Sequence, residues 1–113
     1  MRDPSAPSAV HYRVQVGYSR VHLAGHLVGI GELDAAADEA LRAFEIVRGD
    51  PTSELQCAAI LAACSDASED RNDRQSFAEA AIRMLDSAVA IGATPREVDR
   101  ERWAAVREAS AAR

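Results

Sequence analysis

Residues 18–51, YSRVHLAGHLVGIGELDAAADEALRAFEIVRGDP, constrain the fold more than any other part of the chain. Apolar and small side chains recur there at steps of three and four on both sides of Gly31, which is the spacing of one helical face. Glycine reaches the left-handed backbone region without steric cost, so Gly31 is a natural closing point for a helix. The segment therefore predicts two amphipathic helices folded back on one another. A unit of this kind buries one face of each helix and leaves the others free, which points to recognition of a partner.

The pattern extends in both directions. Val10, Val14, Gly17, Val21, Ala24 and Val28 form one face of a first helix over residues 8–30. Leu33, Ala37, Ala40, Leu41, Phe44 and Val47 form the stripe of a second over 32–47. Gly49, Asp50 and Pro51 stop that helix and start the next, with Asp50 as N-cap and Pro51 at the first helical position. The run CAAILAAC is Ala-rich rather than β-branched, so residues 52–66 read as a helix covered on both flanks. SDASEDRND, residues 65–73, reads as a polar loop. A fourth helix follows over 74–91, with Phe77, Ala81, Met84, Leu85 and Ala88 inward and Gly92 closing it. Thr94, Pro95 and Glu97 make a capping signal for a fifth helix, running to about 109 with Val98, Trp103 and Val106 on its sparse apolar face. Residues 1–7, with two prolines and no periodicity, read as a frayed tail; residues 8–113 read as one domain. The fold class expected is all-α, with five helices arranged as two antiparallel hairpins plus a C-terminal capping helix.

Composition bounds the function. With only 4% aromatic residues, the core must be built from small aliphatic side chains. A formal charge of -5 argues against a nucleic-acid partner, which requires clustered positive charge, and against binding at an anionic membrane surface. No apolar run approaches the roughly 20 residues that span a bilayer, and MRDPSAPSA lacks the apolar centre of a signal peptide, so a cytoplasmic location is expected. Cys57 and Cys64 are seven apart on one helix, about 10 Å along its axis, too far for a disulfide. They read as buried small apolar side chains, with a redox or metal role as the lesser alternative.

Few residues carry chemistry. His22 and His26, four apart on the first helix, can present both imidazoles to one metal ion, but that helix supplies no carboxylate or thiol beside them. His11 is about 16 Å away along the helix from this pair. No nucleophile-elbow motif gathers Ser, His and Asp, and the carboxylates of DAAADE and SEDRND read as solvated. GIGE ends a helix rather than opening a nucleotide-binding one. No cofactor is expected, and the chain is not expected to be an enzyme.

Gly31, Ala36 and Ala43, with Ala24 and Leu23 before them, fall at the spacing of the tetratricopeptide repeat and resemble it. Arg20, Leu27 and Ala40 stand where that repeat has larger or aromatic residues, and Pro51 comes late. The second half, LQCAAILAACSDASEDRNDRQSFAEAAIRMLDSAVAIGATPREVDRERWAAVRE, is similar to the degenerate repeats that follow serine/threonine kinase domains in some bacterial proteins. The chain holds no Gly-rich loop, strand lysine or HRD-type loop of the kinase itself. The resemblance covers residues 18–109 and implies a non-catalytic protein-interaction module, a scaffold or regulatory partner in bacterial signalling. It also implies that the first helix lines a groove for a protein or peptide, with Tyr12, Arg13, Arg20 and His26 as its contacts. Two repeats make a small core, so self-association in a two-fold dimer through the uncovered first helix is expected. The alternative is a small helical bundle that binds a metal or small ligand through His22 and His26.

Overall fold

The computed structural model describes residues 9–111, and their side chains from residue 11 onward. The tail at residues 1–7, Ser8 and the Val10 side chain lie outside this description. Five α-helices follow one another: α1 (Ala9–Gly29), α2 (Leu33–Ile46), α3 (Pro51–Ala67), α4 (Arg71–Ala90) and α5 (Arg100–Ala111), the last preceded by a 3-10 turn, Glu97–Asp99. The described residues hold no strand, so the fold is all-α.

The turns follow from backbone chemistry. Gly31 has φ +83, with its N–H donating to the Val28 carbonyl at 3.0 Å and the Glu32 N–H donating to that of Leu27 at 2.9 Å. This satisfies carbonyls that the end of α1 would otherwise leave open. Gly92, φ +111, repeats the arrangement at the end of α4, where it donates to Val89 and Ala93 donates to Ala88. At the start of α3 the Asp50 carboxylate accepts the Ser53 N–H at 3.0 Å, and Pro51 sits where no intrahelical donor is needed.

Each helix packs against the next in sequence, and α3 lies at the centre, touching α1, α2, α4 and α5. The core is built of small residues: Ala24, Ala36, Ala40, Ala43, Ala58, Ala62, Ala78, Ala81 and Ala88 are all fully buried. Gly17 marks the tightest approach of α1 to α2, since a Cβ built there would run into the Val47 side chain. The larger buried groups, Phe44, Leu61, Met84, Leu85, Trp103 and Val106, fill the spaces that these alanines leave.

Several expectations change. The polar stretch 65–73 is mostly helical: Ser65 belongs to α3, Asp70 caps α4 by accepting the Asp73 N–H at 2.9 Å, and only residues 68–70 connect the two. Asp70 offers a cap four residues before the expected start, so helix formation begins there. The Thr94–Pro95 start does not form. Arg96 stays extended at ψ 144, and regular helix begins only at Arg100. Val98 consequently falls on the 3-10 turn and is 78% exposed instead of lying on the α5 face. Leu41, expected in the α2 stripe, is 43% exposed, because α2 buries Ala37, Ala40 and Phe44 beside it.

Candidate functional site

Residues singled out by the sequence divide between two faces of α1. Arg13 donates Nε and Nη2 to the Ile46 carbonyl at 3.1 and 2.9 Å. Ile46 is the last residue of α2, so the guanidinium caps the electronegative end of that helix. Arg20 donates Nη1 to Glu39 Oε2 on α2 at 2.9 Å, and Arg42 approaches the other oxygen of the same carboxylate at 3.9 Å. Both arginines therefore spend their charge on the seam between α1 and α2. Tyr12, 62% exposed, and His26, also exposed, remain on the outer side. The four residues expected to line one groove therefore lie on two sides of α1, the arginines against α2 and Tyr12 and His26 facing outward.

The outer side of α1 is better populated than those four residues suggest. Tyr12, Tyr18 and Leu23 on the helix and Ile30 just past its end are 62%, 53%, 47% and 59% exposed, and His22 and His26 stand between them. The Tyr18 and His22 rings meet edge to face, with centroids 4.3 Å apart. No acidic residue lies on α1. The result is a near-neutral apolar and aromatic strip on a chain of net charge -5. Sequence reading named Tyr12 and His26 as groove contacts and His22 with His26 as a metal pair, but did not group Tyr18, Leu23 and Ile30, which fall outside the Val10–Val28 stripe and share no helical spacing of three or four.

The thiols lie in the core. Cys57 and Cys64 are fully buried and free, as their apolar setting in CAAILAAC predicts. Burial pushes the Cys57 thiol up to about 12, aided by the nearby Glu54 charge. Burial, then Asp34, pushes Cys64 up to about 11. Nucleophilic and metal-binding cysteines need the thiolate, and these sites disfavour it.

Glu54 was not singled out from sequence. Its side chain is 1% exposed, with Oε2 accepting the Gly49 N–H at 2.8 Å and Oε1 accepting the Ser87 hydroxyl at 2.7 Å. It joins the α2–α3 turn to the end of α4. A buried carboxylate requires such donors, and its position in the first turn of α3 places it at the positive end of the helix dipole. The available signal was that Glu54 is the only charged residue between Pro51 and Ser65.

Two of the open clefts gather arginines beside apolar side chains. One of about 510 Å³ lies between the start of α4 and the end of α5, lined by Glu69, Arg71, Arg74, Gln75, Ala105 and Glu108. Another, about 320 Å³, lies between α2 and α4 and includes Leu41, Phe44, Arg48, Arg83 and Met84. Arg74 is already engaged, donating to the Ser68 carbonyl, and Arg48 lies over the Phe44 ring. Among the described residues no group of three His, Cys, Asp or Glu is placed to hold a metal ion, and no helix is long and apolar enough to cross a membrane. No protein-family model, curated protein or solved structure matches the chain.

Proposed function

We propose that this protein is a non-catalytic interaction module of tetratricopeptide-like build, acting as a scaffold or regulatory partner through the outer face of α1. The observation that carries this reading is the strip formed by Tyr12, Tyr18 and Leu23 on α1 and by Ile30 just past its end, four large apolar side chains each about half or more exposed. Aromatic residues such as these tyrosines, at the centre of a patch, are among the groups that contribute most to binding between proteins. The dispersal of reactive groups supports it further: thiols in the core, Glu54 bound to donors inside, and the histidines outside. The order of packing, with α1 on α2, both on α3, α3 on α4 and α4 on α5, is what stacked helical hairpins would produce.

Photo-crosslinking tests the reading. A benzophenone side chain placed at Leu23 or Ile30 should give discrete products with a partner protein in cells, while the same group at exposed Glu45 or Glu69 should not. Products from the control positions alone would overturn the assignment to α1.

A further inference from the structure

We propose that the partner of this α1 face is a second copy of the chain, and that one zinc-class divalent ion links them through His22 and His26 of each copy. The proposal rests on the reading of α1 as the recognition face and specifies what covers it.

The two histidines stand one turn apart and both are exposed. An i, i+4 separation is about 6 Å of helical rise, which two imidazoles span with zinc–nitrogen bonds of about 2.0–2.1 Å. Tyr18 packs edge-on against His22, restricting that imidazole on the outer face. Among the described residues nothing supplies a third ligand. The described residues therefore offer two nitrogens to an ion that takes four, and a second copy supplies the other two.

A two-fold axis provides them. Antiparallel pairing centred between the histidines sets His22 of one copy opposite His26 of the other, giving four nitrogens around one ion. Ser19 and Gly29 lie three residues to either side of the pair, and a Cβ added at Gly29 would meet nothing within 4 Å, so a second backbone has room to approach. Tyr18 and Ile30 then supply apolar contact at the two ends of the interface.

Charge favours a copy of the same helix. All 18 acidic residues lie outside α1, and its two arginines are already engaged with α2. Two α1 faces therefore meet without carboxylate repulsion. Area then shows why an ion is needed. A helix of 21 residues is about 31 Å long and about 10 Å wide, so the contact covers about 300 Å² per copy. Stable interfaces cover about 800 Å² per partner. Apolar contact alone is too small, and the metal decides the association.

Sedimentation equilibrium on the full chain tests this, first in EDTA and then with zinc chloride. The expected result is a monomer in EDTA and a twofold rise in mass with zinc, saturating at one ion per two chains and reversed by chelation. His22→Ala and His26→Ala should each remain monomeric with zinc while keeping wild-type helicity by circular dichroism. A dimer in EDTA, zinc binding without a change in mass, or equal dimerisation of both variants would overturn the proposal. If zinc leaves the chain monomeric while Leu23 photo-crosslinks to a different protein, the pairing falls and the recognition face stands. If both experiments fail, both readings fall.

Discussion

Helices α1 and α3 are both rich in small and apolar residues, yet they meet opposite fates. α3 buries eight of its residues, including polar Ser53, Glu54 and Ser65, and touches four other helices. α1 buries Gly17 and Ala24 among its described side chains, half-buries valines beside them, and leaves two tyrosines and a leucine in water, with Ile30 exposed just past its end. Place in the stack, rather than apolar content, decides which side chains are lost from solvent. A central helix has neighbours on both flanks; a terminal helix has one. Substitutions in α3 should therefore act on stability and substitutions on the outer side of α1 on association.

The sharpest test of that contrast is Leu61→Ala at the centre of α3, where the side chain is 1% exposed. Loss of the buried methyl groups and the cavity left behind should cost about 3 kcal/mol, read as a lower midpoint in urea denaturation. An effect below about 1 kcal/mol would mean that α3 is not the packed centre.

Glu54→Ala should cost about 2 kcal/mol, because the Gly49 N–H and Ser87 hydroxyl lose their acceptor inside the protein. Adding Ser87→Ala to this variant should cost less than the two single losses combined, and a double-mutant cycle in urea measures the coupling.

Gly17→Ala probes the one place where α1 itself is tightly held. Its new methyl group meets the Val47 side chain, so a loss of about 1–2 kcal/mol is expected in the same denaturation assay. Gly29→Ala faces open space and is expected to shift stability by less than about 1 kcal/mol.

The core thiols give a pH test. Burial raises the Cys57 thiol from its ordinary value of about 9 to about 12 in the folded chain. Below about pH 9 both folded and unfolded thiols hold their protons and contribute no pH dependence. Between about 9 and 12 the unfolded thiol ionises first, so stability falls as pH rises. Urea midpoints at successive pH values measure the decline, and at pH 8 an aromatic disulfide reagent should label both cysteines only after unfolding.

The smallest effect belongs to α1's outer side. Leu23→Ser should change stability by less than about 0.5 kcal/mol, since Leu23 is already 47% exposed, while weakening the contact that photo-crosslinking reads. A large loss of stability there would erase the contrast between the two helices.

Much of the fold was legible because its signals are local. Gly31, Gly49 and Gly92 all have positive φ, and Asp50 with Pro51 starts α3 as their chemistry requires. The alanines that let helices approach closely were visible by spacing alone. Asp70 as a cap was present in the sequence but hidden inside a polar run, where several aspartates compete for the role. Thr94, Pro95 and Glu97 carried a start signal that Arg96 does not follow, because its backbone stays extended and delays the helix.

The candidate site was less legible. Arg13 and Arg20 share a side of α1 by spacing, but their engagement with Ile46 and Glu39 depends on where α2 lies. Local sequence by itself determined that these residues form helices, where α1, α2 and α4 end, and much of which faces are apolar, since each depends on neighbours within a few positions. Only the tertiary structure decided which apolar face remains uncovered, and it brought Glu54 to Ser87, because burial and long-range hydrogen bonds depend on segments distant along the chain meeting in space.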